Sequence, residues 1–309
     1  MEIIMKKTIK LVAALSILLT MCSCSALYSG GSRGAQRTAG SGTDGVFYGR
    51  ETGTDKTYTG LEPLEKRVHD FSGMRTDRDK STIEHSFGAA KNGAPHQISV
   101  GAQSRFDELG LDAVVYDNRT DEKKLYLTFD CGYENGQTKK ILDVLRDKNV
   151  EAAFFCTLPD VKSSPELIAR MINEGHIVGN HSVTHPDFSS ISHEEMAAEV
   201  GGFDDYLREH FGYSSLYFRF PQGKYSDDAV EALNAMGYKC VFWSIAYYDW
   251  NLNEQPGVHK AVDTVIERLH PGAVLLLHSV SPDNAAALPE IIEKARALGY
   301  TFGSLTELE

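Results

Sequence analysis

From Lys123 onward, short apolar runs alternate with longer segments in which apolar residues recur every three or four positions. The runs are KLYLTF (124–129), EAAFFCT (151–157), HIVG (176–179), SLYFRF (215–220), KCVFWSI (239–245), AVLLLH (273–278) and YTFGS (300–304). Continuous apolar stretches of this length predict strands buried on both faces. Between them QTKKILDVLRDKN, SPELIARMINEG, SHEEMAAEVGGFDDYLREHFG, SDDAVEALNAMG, HKAVDTVIERLH and NAAALPEIIEKARALG predict amphipathic helices, several closed by Gly. Such alternation means parallel strands joined by helical crossovers, an α/β fold. With seven strands, an irregular (β/α) barrel is favoured over a doubly wound open sheet.

Upstream, the pattern dissolves. Residues 61–120 hold few apolar clusters (ISV, LDAVVY) and several turn formers, and predict an extension packed on the larger domain of 121–309. Residues 25–60, rich in Gly, Ser, Thr and Asp, read as a disordered tether. At the start, Lys6, Lys7 and Lys10 precede an apolar run from Leu11 to Met21, too short for a comfortable membrane span and laid out as an export signal. Cys24 follows the small Ser23, whereas Cys22 follows the bulky Met21, so Cys24 resembles the lipidated cysteine of a bacterial lipoprotein and 1–24 its leader. Lipidation places the chain on the outer face of the cytoplasmic membrane, against the cell wall. Cleavage after Ala26 is the alternative and gives a secreted protein.

The 309 residues, 42% of them hydrophobic, suffice for one catalytic domain with appendages, expected as a monomer. The net charge of -12, with Lys and Arg scattered, argues against nucleic acid as a partner. Past the leader stand Cys131, Cys156 and Cys240, an odd number without a CxxC pair, so no disulfide framework is indicated. Cys156 and Cys240 sit in apolar runs and read as small core residues.

Polar residues interrupt the pattern at the C-terminal ends of strands, where a parallel barrel builds its sites. His181 and His185, four apart in GNHSVTHPDFSS, face one point if the segment forms a helical turn, and neutral imidazole is a common ligand for zinc and its neighbours. Without a partner they read equally well as exposed loop histidines. Asp130 supplies that partner: in LTFDCGYENG it follows an apolar strand, either as a turn former or as a base for water activated by a metal. Arg219 lies in an apolar strand and needs an acidic partner, in a structural salt bridge or on Asp130 itself. Trp243 reads as core and Asp249 as a solvated loop carboxylate. His278 closes an apolar strand; it is a buried structural histidine or, held cationic by Asp249, an acid for a leaving amine.

Together these five segments resemble the polysaccharide deacetylase family, carbohydrate esterase family 4, whose catalytic region is called the NodB homology domain. The resemblance covers residues 121–309 and implies a distorted (β/α) barrel of seven-stranded type, with metal-assisted hydrolysis of acetyl groups. It implies Asp130 as general base, His181 and His185 as ligands of a divalent metal, zinc being the expected ion, Arg219 as holder of the base, and His278 as general acid tuned by Asp249. It further implies that the backbone N–H of Gln222, after Pro221, stabilises the oxyanion, and that Trp243 and Leu276 wall the acetyl pocket. A narrower likeness, through TFDCGYENG, GNHSVTHPD, FWSIAYYDWN, HPGAVLLLHSVSPDNAAAL and HSFGAAKNGAPHQ, is to the delta-lactam-biosynthetic de-N-acetylases. It implies action on N-acetylmuramic acid of the peptidoglycan glycan strand in the spore cortex, with cyclisation to muramic delta-lactam. A chitooligosaccharide or xylan deacetylase, and a wall-binding lipoprotein that has lost catalysis, are the rival expectations.

One position departs from the wider family. Most members carry a second Asp after the base as third metal ligand; here it is Cys131. A thiolate there completes a zinc site with the two histidines, a neutral thiol leaves a weaker site, and a disulfide with Cys156 obstructs it.

Overall fold

The computed structural model describes residues 71–308 apart from 72, 76 and 215. The expected leader 1–24 with Cys24, and the tether 25–60, lie outside the described residues. In chain order the elements are β1 (Ile83–Glu84), α1 (Gln97–Leu109), β2 (Ala113–Val114), β3 (Lys124–Cys131), α2 (Thr138–Lys148), β4 (Ala153–Cys156) and α3 (Leu158–Ser163). There follow α4 (Pro165–Asn173), β5 (Ile177–Asn180), α5 (His193–Phe211), β6 (Tyr217–Phe218), β7 (Lys224–Tyr225), α6 (Asp227–Ala235) and β8 (Lys239–Val241). The chain closes with α7 (Val258–Glu267), β9 (Ala273–His278), α8 (Pro282–Ala297) and β10 (Thr301–Gly303).

The seven expected strands are β3, β4, β5, β6, β8, β9 and β10, and all of them pair in parallel. The sheet runs β10-β3-β4-β5-β6-β8-β2, with β9 on β3. A parallel bridge from Ile245, just past β8, to Leu275 of β9 brings the sheet round on itself. The result is the curled α/β barrel that the alternating pattern predicts.

Strand alternation sorts β3 into two layers. Leu125, Leu127, Phe129 and Cys131 pack against Ile141, Leu142 and Leu145 of α2 and Leu288, Ile291 and Ile292 of α8. Burying each such Leu or Ile contributes about 1.5 to 3 kcal/mol. Tyr126 points the other way, into the barrel with Phe155, Trp243 and Leu276, and so does Asp130, which reaches the guanidinium of Arg219 there. The mouth is therefore formed by strand ends held rigid from outside. Of the helices, α5 shows most clearly why it begins and ends where it does. Ser192 and Glu195 form a reciprocal capping box, and Gly212 at φ 58° closes the helix.

From residue 71 on, the expected extension packs on the larger domain by joining its sheet and core. Within its described part, β2 joins the sheet beside β8, and Phe106 of α1 shares a core with Phe220 and Phe242. The helical period of α1 is hidden because a core position is filled by Gln103, which donates to Ala113 O at 3.3 Å and accepts from Val115 N at 2.7 Å. Further upstream, His85 packs on the rings of Phe242 and Trp243. Its Nε2 lies 2.8 Å from Trp243 O, and burial pushes its pKa down to about 4, so it donates as a neutral ring.

Candidate active site

Asp130 and Arg219 form the centre. Arg219 follows β6 and is 0% exposed. Its Nη1 donates to Asp130 Oδ1 at 2.8 Å, Nε to Val241 O at 2.9 Å and Nη2 to Phe242 O at 3.0 Å. Its guanidinium carbon sits over the Phe155 ring, 4.2 Å from the ring centre. The arginine is thus fixed in three directions, and it fixes the carboxylate in turn. Burial alone pushes the Asp130 carboxyl up, but Arg219, with His181 and His278, more than offsets it and holds Asp130 below the usual carboxylate range.

His181 and His185 come together, though not on a helical turn. Residues 181–185 form a bent loop in which Ser182 (φ 74°) and His185 (φ 60°) take the left-handed conformation. Side chains hold this strained path. Asn180 Oδ1 accepts from Ser182 N at 2.8 Å, Ser182 Oγ from His185 N at 2.9 Å, and Glu199 of α5 from Val183 N at 2.9 Å and Thr184 N at 2.7 Å. The two rings end 4.8 Å apart, nearly perpendicular.

His181 Nδ1 lies 2.8 Å from Arg219 O, and a carbonyl can only accept, so Nδ1 carries the hydrogen. That leaves the Nε2 lone pair 3.7 Å from Asp130 Oδ2. Burial pushes His181 to about 4 and also lowers His185, so both rings are neutral near pH 7. A lone pair facing a carboxylate oxygen, with a second neutral imidazole beside it, is a donor set that fits a divalent cation.

Cys131 is not part of this set. Because β3 continues to Cys131, alternation turns it away from Asp130, into the layer between sheet and helices. Among the described residues its metal-binding neighbours are Cys156 and Asp160, not the histidines, and no disulfide joins it to Cys156. Burial raises the Cys131 thiol, and it pushes the Asp160 carboxyl up to about 7.

Across the mouth, β9 pairs with β3 so that His278 stands in register with Asp130. Asp249, expected to be solvated, is 1% exposed. Its Oδ1 lies 2.7 Å from His278 Nδ1, and its Oδ2 accepts from His278 N at 2.8 Å and Asn284 Nδ2 at 2.6 Å. Burial works against the imidazolium, but the Asp249 carboxylate prevails and raises the His278 pKa above its ordinary value. With Nδ1 engaged, Nε2 is the ring atom left to donate.

Pro221, Gln222, Trp243 and Leu276 complete the expected set. Gln222, directly after Pro221, adopts φ 59°, a left-handed conformation that costs a non-glycine residue about 1 to 3 kcal/mol. Trp243 and Leu276 are buried together inside the barrel. Three contributors were not foreseen from the residues alone: Asn284 and Glu199, which act through hydrogen bonds, and Trp250. The Trp250 ring stands 5.5 Å from His278 and 4.9 Å from Tyr248, and both aromatic side chains are exposed, 46% and 73%.

A curled parallel barrel with a paired carboxylate, two neutral imidazoles and a carboxylate-bound histidine at its mouth defines a hydrolase built for acid–base and metal-assisted chemistry. A family model for polysaccharide deacetylases matches residues 117–241. The peptidoglycan-N-acetylmuramic acid deacetylase PdaA of Bacillus subtilis is 44% identical over 194 residues, 62% of this chain and 74% of that protein. A chitooligosaccharide deacetylase of Sinorhizobium fredii is 35% identical over 202 residues, 61% of this chain and 93% of that protein. The solved structure of Bacillus subtilis PdaA, a family 4 carbohydrate esterase, superposes with a TM-score of 0.71 at 40% identity, covering 74% of this chain and 97% of that one. The chain belongs to the polysaccharide deacetylase family, the family 4 carbohydrate esterases, which are metal-dependent in general.

Proposed function

We propose that this chain removes the N-acetyl group from N-acetylmuramic acid in peptidoglycan glycan strands, the freed amine then closing to muramic delta-lactam as in spore cortex. The observation that carries the chemistry is the opposed pair on β3 and β9: Asp130 kept ionised by Arg219, and His278 kept protonated by Asp249. The substrate rests on the likeness to the muramic acid deacetylase.

Each group has one task in this reading. Asp130 takes a proton from water as the water oxygen attacks the acetyl carbonyl carbon. The backbone N–H of Gln222 stabilises the oxyanion that forms, and Trp243 and Leu276 enclose the methyl group. His278 Nε2 then gives its proton to the sugar nitrogen as the C–N bond breaks, so acetate and a free amine leave. A divalent cation held by His181 and His185, zinc in this proposal, supplies Lewis acidity when bound. Trp250 and Tyr248 offer apolar faces on which a pyranose ring can stack. The chain works as a monomer on the outer face of the membrane, anchored through Cys24; the support for this is the lysine-led apolar run before Cys24.

A substrate panel tests the reading. Incubated with peptidoglycan and with chitooligosaccharides, the purified chain should release acetate from muramic acid residues far faster than from chitin fragments. The reverse preference would assign it to the chitooligosaccharide branch.

The pair on β9 has its own signature. Activity should fall on the alkaline side as His278 loses its proton, at a pH above the ordinary histidine value because Asp249 raises its pKa. In Asp249→Asn the carboxylate is gone and burial remains, so the alkaline limb should move to lower pH. A pH profile of kcat/KM for both proteins checks this; an unmoved limb would show that His278 is not the group titrating.

A further inference from the structure

On the helix side of β3 and β4, directly behind the mouth, three side chains converge that the reaction does not use. Cys131 and Cys156 are paired residues at the ends of adjacent parallel strands. Asp160 projects from the first turn of α3. One ligand atom from each, two sulfurs and a carboxylate oxygen, all lie within 4.8 Å of one another. All three residues are buried, at 1%, 0% and 6% exposure.

Two buried thiols are by themselves ordinary core residues. The carboxylate changes the meaning of the cluster. A buried carboxylate is normally paired with a cation or satisfied by hydrogen bonds, yet the charged neighbour acting on Asp160 is Glu134, of like sign. No hydrogen bond or ion pair from Arg, Lys or His reaches its carboxylate among the described residues. Beside Cys131 stands Ser279, 0% exposed, whose hydroxyl meets the Cys131 thiol and no oxygen or nitrogen. Packing explains the sulfurs, and a disulfide would explain them too. Neither explains why a carboxylate oxygen comes within 4.8 Å of both sulfurs.

We propose that Cys131, Cys156 and Asp160 form a second metal site, for a thiophilic divalent cation of the zinc type, distinct from the site of His181 and His185. Two thiolates and one carboxylate are a set that zinc accepts, with Ser279 or a water as fourth donor. Metal–sulfur bonds of about 2.3 Å and metal–oxygen bonds of about 2.1 Å place tetrahedral ligands roughly 3.5 to 4 Å apart, so a modest contraction of the cluster suffices. Both thiols release their protons to solvent as the metal enters, and no electron changes hands. The ion ties β3, β4 and α3 together one residue from Asp130. Because Leu158 N donates to Ser182 O at 3.0 Å and Ser279 N to Asp130 O at 3.0 Å, the same clamp steadies the loop of the two histidines and the base.

Cobalt(II) separates the two sites, since thiolate ligation gives a near-ultraviolet charge-transfer band that imidazole and carboxylate ligands do not. The full chain is prepared with cobalt as its only transition metal, and metal content is measured alongside the spectrum. The His181→Ala/His185→Ala double variant should lose about one equivalent of cobalt and keep the band. Cys156→Ala should lose the band and about one equivalent while keeping native circular dichroism. Asp160→Asn, which leaves both thiols, should bind this cobalt more weakly. Absence of the band from the native chain would overturn the proposal, as would its loss in the histidine variant with survival in Cys156→Ala, which would put Cys131 at the mouth. A Cys131–Cys156 disulfide in freshly purified protein would overturn it as well.

Discussion

Asp130→Asn should lower kcat by about 10²- to 10⁴-fold while leaving the fold and glycan binding in place. The amide has nearly the shape of the carboxylate, and its oxygen can still accept from Arg219 Nη1, so the bond of 2.8 Å has a successor. What is lost is the capacity to take a proton from water. It cannot be recovered from a neighbour. The His181 Nε2 lone pair, left by an Nδ1 bound to Arg219 O, is the donor assigned to the cation, and His278, with Nδ1 on Asp249, already carries its proton at Nε2. Steady-state acetate release, read beside an equilibrium binding measurement on the same glycan, checks the result. A variant that kept native kcat would remove Asp130 from the chemistry.

The second large effect is on stability. Arg219→Met should lower the unfolding free energy by roughly 3 to 5 kcal/mol, the range for breaking a buried ion pair from one side. Methionine fills part of the volume but leaves Asp130 charged and buried, and it strands the carbonyls of Val241 and Phe242 that Nε and Nη2 satisfy. Lysine is not an adequate substitute, because one ammonium cannot reach three acceptors spread around a planar fork. Urea unfolding of the native chain, Arg219→Met and Arg219→Lys tests this, with activity measured on the folded fraction of each. Arg219 acts through Asp130, so Arg219→Lys should regain part of kcat without regaining native stability. Equal stability of all three proteins would mean that the guanidinium network contributes nothing to the fold.

Much of this arrangement was legible in the residues. Asp130, Arg219 and His278 each interrupt or close an apolar run, and a charged group at the buried end of a parallel strand has few places to go except the shared mouth. What sequence could not supply was distance. Asp249 looked like a solvated loop residue because its partners, His278 and Asn284, are 29 and 35 positions away. The histidine pair fits a helical turn by spacing; Asn180, Ser182 and Glu199 give it a different backbone by accepting the loop's N–H groups. In α1, polar Gln103 occupies a core position, which hides the period that would have announced the helix.

Cys131 is the instructive case. With the strand ended at Phe129, its side chain is free to turn toward the histidines. The structure carries β3 two residues further, so the two-residue period that puts Asp130 inside the mouth puts Cys131 outside it. The same alternation that made the base legible therefore moves the thiol to a different cluster.

The most direct test of the account is acetate release from peptidoglycan by the purified chain, measured after chelation and again after zinc is restored. Release should stop on chelation and return with zinc in the native chain, with none under either condition in the His181→Ala/His185→Ala variant. Glycan binding without acetate release in the zinc-restored native chain would contradict it.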